Sequence, residues 1–370
     1  MNFDFSDDSK LLREQAQRFL REQCTPKAVR HVLDGHAPYS AELWRAMADM
    51  GWLGAAIPQR YDGAGLGHEV LCVLAEELGR VLAPVPFIST ACLAAEAILA
   101  AGTEEQKREC LPKMIRGELI ATFALAEGAG EPRESTVRTR LADGRITGSK
   151  WPVPDGGIAQ LAVVAARDAS GVSLALVDLT APGVTRTPLA TVDPSCDHAK
   201  IGFDNAPATL LGASGQGWDI VRRLLDRAAI LTAFAQVGGA AASLDMATAY
   251  AKERFAFGRP IGSFQAIKHK LADVYVATEL ARSNAYYGAW ALSADAAELP
   301  LAAATARVSA SDAFFLAAKE NIQVHGGVGF TWDYDCHLFY RRAKLLALSL
   351  GSQRYWKDRV VAELETRNAA

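Results

Sequence analysis

Arg254, Phe257, Gln323 and the pair Gly326-Gly327 are residue types that suit an anionic, phosphate-bearing ligand. A guanidinium offers a planar fork that matches phosphate oxygens. Adjacent glycines let backbone N–H groups approach a bulky anion closely. A glutamine amide can hydrogen-bond such a ligand, and an aromatic ring can pack on it. Taken singly, each has a plainer reading: an arginine at a helix end is ordinarily a solvated charge, and Gly-Gly is ordinarily a turn. The seven histidines include no His-x-x-x-His pair. The six cysteines (Cys24, Cys72, Cys92, Cys110, Cys196 and Cys336) lie far apart without Cys-x-x-Cys spacing. We therefore assign no metal and read the cysteines as reduced thiols.

These residues need elements to position them. The chain has 370 residues, 50% of them apolar, enough for a large core and two or three domains. Residues 1–118 read as helical. Ser6-Asp7-Asp8 can cap a helix through LLREQAQRFLREQC, and Thr103 and Gln106 stand at capping-box spacing before ECLPKMIRGE. Residues 119–213 change texture. The runs RITGSK, LAVVAA, VSLALVDL and GVTRTP alternate with Gly, Pro, Asp and Ser, as in a small antiparallel β domain, and Asp143-Gly144 marks a turn. Residues 214–370 are helical again, with two long alanine-rich stretches, WDIVRRLLDRAAILTAFAQVGGAAASLDMATAYAKERF and LPLAAATARVSASDAFFLAAKENIQVHGG. Helices of this composition need each other's apolar faces, so a packed bundle is expected. The net charge of -3 and pI near 6.2 favour neither nucleic acid nor an anionic membrane. MNFDFSDDSK has no signal-peptide pattern, and charge interrupts the apolar stretches, so a cytoplasmic protein without a membrane span is expected.

The segment RFAFGRPIGSFQ (254–265), then QVHGGVGFT (323–331), then Arg341-Arg342-Ala343-Lys344, behind a capped LLREQAQRFL helix, resembles the acyl-CoA dehydrogenase family over nearly the whole chain. The resemblance implies a helical N-terminal domain, a β-barrel-like middle domain and a C-terminal four-helix bundle. It implies FAD, a CoA thioester substrate and α,β-dehydrogenation. It also implies dimers or tetramers in which each FAD lies across a subunit interface. By this resemblance Arg254, Phe257, Gln265, Gln323, Val324, Gly326 and Gly327 are expected to hold the ADP half of a neighbouring subunit's FAD.

The contacts that the family makes to the flavin ring in a subunit's own site are not kept. Its Thr-Glu-Pro segment corresponds to Ala126-Glu127-Gly128, and Glu131-Pro132 replace a following Ser-Asp. Its Lys-x-Trp-Ile-Thr corresponds to Lys150-Trp151-Pro152-Val153-Pro154. Proline has no backbone N–H to donate. A one-residue slip in a strand points Trp151 to the opposite face from the family's tryptophan. Both family positions for the glutamate base are empty: counting from Lys344 places Leu350 at one, and the stretch Leu225–Ala229 places Ala228 at the other. Asp226, Glu127 and Asp155 are the nearest carboxylates by sequence. Asp226, two residues from the second base position, is turned about 200° around the helix.

The losses fall on this chain's own ring pocket, and the retained motifs serve a neighbour's flavin. That asymmetry resembles the base-lacking subunit of heterotetrameric acyl-CoA dehydrogenases, best known among bacterial enzymes that shorten steroid side chains. The expected partner is a homologous subunit carrying the catalytic glutamate. Three other readings are open: a self-sufficient homo-oligomeric dehydrogenase with a substitute base, a flavin monooxygenase on the same fold, and a non-enzymatic CoA-ester-binding protein.

Overall fold

The computed structural model describes residues 5–369. In chain order, six helices come first: α1 (Asp7–Gln23), α2 (Pro26–Leu33), α3 (Ala41–Asp49), α4 (His68–Arg80), α5 (Ala95–Ala101) and α6 (Glu104–Ile115). Eight strands follow: β1 (Ala121–Ala124), β2 (Arg140–Ala142), β3 (Arg145–Pro154), β4 (Leu161–Asp168), β5 (Gly171–Asp178), β6 (Val184–Pro188), β7 (His198–Pro207) and β8 (Thr209–Leu211). Then come α7 (Gly217–Glu253), the short strands β9 (Phe255–Ala256) and β10 (Arg259–Pro260), and α8 (Gln265–Ser293), α9 (Leu299–His325), α10 (Cys336–Leu348) and α11 (Gln353–Ala369). The order is helical, then β, then a helical bundle.

Local signals act where the sequence places them. The Ser6 hydroxyl accepts from the Ser9 N–H at the start of α1. Thr103 and Gln106 form a reciprocal capping box on α6. Asp143 and Gly144 both have positive φ between the paired ends of β2 and β3, which is how an Asp-Gly hairpin turn is made.

The chain divides into two compact units. One comprises Arg30–Leu71 and Pro84–Ala228. It holds a sheet in the order β6-β7-β3-β2-β4-β5-β8, with β1 on β4. Most pairs are antiparallel, as expected for this texture, but β1 and β2 each pair parallel to β4. Parallel neighbours need a longer connection than a hairpin, which strand composition does not announce.

The other unit comprises the chain up to Val29, Cys72–Ala83 and everything from Ala229 on. Its helices touch through small residues. Ala302, Ala303, Ala306, Ala310, Ala317 and Ala318 of α9 are buried. A methyl at Gly239 would fall 2.4 Å from the Phe314 ring. Two adjacent buried carboxylates on α4, Glu76 and Glu77, bind α1 and α8: Arg13 reaches Glu76 at 2.9 Å, Gln17 reaches Glu77 at 3.1 Å, and Arg282 also donates to Glu76. By length and composition α7 could cross a membrane, yet 72% of its most apolar window is buried inside the protein, as in a core helix.

Candidate functional site

The two retained motifs are far apart in sequence and meet in space. Tyr250 lies in the last turn of α7, and Arg254 follows it, its N–H bonded to the Tyr250 carbonyl at 2.8 Å. The hairpin β9–β10 then turns through Phe257 and Gly258, both at positive φ. The chain enters α8 at Gln265. From the other direction α9 ends at His325, and Gly326 at φ 65° closes the helix with its N–H on the Gln323 and Ile322 carbonyls. A small core joins these ends: Ala247, Ala251 and Val324 are buried, and Tyr250, Ile261, Ile267 and Leu271 pack around them. Above it the His325 ring stacks on Tyr250 with centroids 4.0 Å apart. The His325 Nδ1 lies 2.8 Å from the Asn321 carbonyl, which fixes that nitrogen as the donor. Burial lowers the His325 pKa from the ordinary histidine value, against the opposing effect of the Asn321 carbonyl.

On this base the expected ligand residues face outward. Arg254 is exposed, and its guanidinium has no ion pair among the described residues. Phe257 is 97% exposed at the hairpin tip. Gln265 and Gln323 are exposed as well. A Cβ at Gly258, Gly326 or Gly327 would meet nothing within 4 Å, so backbone there is open to a ligand. Val324 differs: its side chain is buried in the small core, because that face of α9 must pack on α7, and only its backbone can serve a ligand. Sequence reasoning did not single out Tyr250 and His325 as the joint between the motifs. Their signal was available, since one lies four residues before Arg254 and the other immediately before Gly326.

The ring-side segments lie in the other unit and are also brought together. The Trp151 N–H donates to the Ala126 carbonyl at 2.8 Å, and the Gly128 N–H donates to the Trp151 carbonyl at 2.8 Å. Glu127 is fully engaged. It accepts from the Arg138 and Thr139 N–H groups at 2.8 and 2.9 Å and from Lys150 Nζ at 2.7 Å. Burial alone would raise this carboxyl, but Lys150 and the Thr139 N–H outweigh it and hold the pKa below the usual range. Burial pushes Lys150 itself down to about 8. In the two segments so joined, Ala126 has no side-chain donor, and Pro152 and Pro154 have no backbone N–H. The expected alternation along the strand is not what β3 does. The pairing with β7 slips between Lys150 and Val153, both of which are buried, so Trp151 and Pro152 are both exposed.

Neither base position carries a carboxylate. Ala228 is fully buried. Leu350 stands in the turn between α10 and α11 at φ 62°. The buried Arg307 guanidinium ties down that turn. It donates to the Leu346 carbonyl, to the Ser349 carbonyl at 2.9 Å and to Gln236 Oε1 at 2.5 Å. Burial pushes its pKa down to about 9. Of the three carboxylates nearest by sequence, two are engaged by other side chains. Asp155 accepts from the Ser89 hydroxyl, and Glu127 is paired with Lys150. Asp226 is 5% exposed, so it is buried and does not lie on the helix surface. Next to it Arg227 binds the buried Glu96 at 2.6 Å, and Glu96 also contacts His68 at 3.0 Å. Glu96 is held below the usual carboxylate range: burial opposes ionisation, and His68 and Arg227 overcome it.

Residues 6–118 match the family described as acyl-CoA dehydrogenase, N-terminal domain, and residues 215–364 match acyl-CoA dehydrogenase, C-terminal domain. The acyl-CoA dehydrogenase IpdE2 of Mycolicibacterium smegmatis is 33% identical over 362 residues, covering 97% of this chain and 99% of that protein. A chain of the ChsE4-ChsE5 complex from Mycobacterium tuberculosis superposes with a TM-score of 0.91 at 29% identity, covering 99% of each chain. A chain of the Tcur3481-Tcur3483 steroid ACAD superposes with a TM-score of 0.90 at 32% identity, covering 98% of this chain and 99% of that one.

Proposed function

Because this chain belongs to the acyl-CoA dehydrogenase family, we propose that it is the base-lacking subunit of a heterotetrameric, FAD-dependent acyl-CoA dehydrogenase. Its role is to supply the ADP-side contacts to an FAD whose ring lies in a partner subunit's site. The partner carries the glutamate that removes the α-proton of a CoA thioester. The observation that carries this reading is the contrast between two sets of residues in one chain. The ADP-side set is assembled and outward-facing, with Arg254 holding no ion pair among the described residues and Gly326-Gly327 open. The ring-side set keeps its scaffold but has Ala126, Pro152 and Leu350 where the family places chemistry.

The residues fit such a cofactor. The guanidinium suits a pyrophosphate oxygen, the open glycines admit its approach, and Phe257 offers a bare ring face. Bound FAD would supply the acceptor for the hydride lost from the substrate's β-carbon. This chain's part is to bind and orient: Arg254 and Gln323 hold the phosphates, and the Tyr250–His325 stack fixes the distance between the two motifs. A self-sufficient enzyme would need a substitute base. Glu127 and Asp155 are already engaged, which weighs against them.

We take the substrate to be a bulky CoA thioester of the steroid side-chain type, in keeping with the steroid ACAD relative. We place the protein in the cytoplasm and the domain boundaries near residues 118 and 213. Flavin stoichiometry tests the assembly. The chain expressed alone should be colourless, and the co-expressed pair should carry one FAD per two chains. One FAD on each copy of the lone chain would overturn the reading.

A further inference from the structure

We infer that Arg259 is a second phosphate-binding arginine, and that the hairpin reads a diphosphate with two guanidinium forks instead of one. This rests on the proposed ADP-side role and extends it to a residue that the role did not include.

The hairpin geometry carries the inference. Arg259 pairs with Ala256, and Pro260 pairs with Phe255. The ladder continues by one step, because the Ile261 N–H donates to the Arg254 carbonyl at 2.8 Å. Side chains alternate faces along a strand, and directly paired residues share a face. Arg254, Ala256, Arg259 and Ile261 therefore lie on one face, and Phe255 and Pro260 lie on the other. Ile261 packs on the small core that joins the two motifs, so the two arginines flank that joint. As diagonal neighbours across a ladder, Arg254 and Arg259 are about 7–8 Å apart. Long side chains bridge that interval easily and can converge on two adjacent phosphates.

Arg259 is also held in place. Its guanidinium lies 4.0 Å from the centroid of the Phe264 ring. Phe264 in turn meets Phe257 edge-on, with centroids 6.3 Å apart. Stacking leaves the in-plane N–H fork free while fixing the plane of the group. Neither Arg254 nor Arg259 has an ion pair among the described residues. By contrast, Arg13, Arg80, Arg227 and Arg282 in the same chain each hold a carboxylate. Two adjacent guanidiniums without an acid attract an anion of matching charge.

The test uses the complex of this chain with its partner subunit, stripped of flavin and titrated with FAD, ADP and AMP. Arg259→Gln should weaken FAD and ADP about 10- to 100-fold, the loss of a charged, forked contact. It should weaken AMP far less, so the preference for diphosphate over monophosphate shrinks. Arg259→Lys should fall between, because it keeps the charge and loses the fork. Phe264→Leu should weaken FAD when Arg259 is present and add nothing to Arg259→Gln. A complex that keeps one FAD per two chains, in which Arg259→Gln binds FAD and ADP within twofold of the unaltered protein, would overturn this inference alone. Failure of any FAD-binding pair to form would overturn the proposed function and this inference with it.

Discussion

Leu350, at the position that a count from Lys344 assigns to the family's base, occupies the left-handed region at φ 62°. For a branched residue that conformation costs about 1–2 kcal/mol. The turn keeps it because Arg307 fixes the carbonyls on its near side, at Leu346 and Ser349. The turn is thus held without a carboxylate, just as the Glu127–Lys150 pair forms beside segments that lack the family's ring donors. Restoring one group should then restore nothing. Leu350→Glu in the chain alone should show no dye-coupled oxidation of CoA thioesters and no exchange of their α-protons with deuterated solvent. Turnover by this single variant would mean that the chain's own pocket is intact. The vacant base was legible in sequence because a fixed interval from Lys344 located it. The state of the carboxylates nearest by sequence was not, since burial of Asp226 and the pairing of Glu127 depend on residues distant in the chain.

The helices were legible where caps and apolar spacing agree, as in α1 and α6, and less so where small residues dominate. α8 shows why: its polar and apolar residues are mixed around the helix, since it packs on α9 and also holds Glu76 of α4 through Arg282. The strands were legible from β-branched runs, but the slip of β3 against β7 was not, because register is settled by both strands together. Glycines inside helices carried a meaning that composition hid. A methyl at Gly238 of α7 would fall 1.9 Å from the Glu76 carbonyl oxygen, and one at Gly79 of α4 would fall 2.1 Å from the Ala235 carbonyl oxygen. The two helices cross with backbones nearly touching. Gly238→Ala should therefore destabilise the protein in spite of alanine's better helix propensity, by about 3 kcal/mol from overpacking. Chemical denaturation measures this directly, and a neutral or stabilising result would mean that the crossing is looser than the backbone distances say.

On the proposed reading, the ADP-side residues and the ring-side segments of this chain belong to different flavin sites, so the chain acts as part of a larger assembly. The consequence is an asymmetric sensitivity to substitution. Arg254→Gln in the assembled pair should empty the FAD site by removing a phosphate contact, with a loss of affinity of about 10-fold or more. Turnover should fall with flavin occupancy and recover in part when FAD is added in excess. Trp151→Ala should leave both FAD content and turnover of the pair unchanged. The indole is exposed, its backbone bonded to Ala126 and Gly128, and it is not among the residues proposed for the ADP side. The two variants are complementary, because both sites would be needed in an enzyme built from identical, self-sufficient copies. In that case Trp151→Ala would also lower turnover, and the distinction between the two residues would disappear. Measuring flavin content and dehydrogenase activity of both variants in one preparation separates an assembly with divided labour from one in which every subunit repeats the same work.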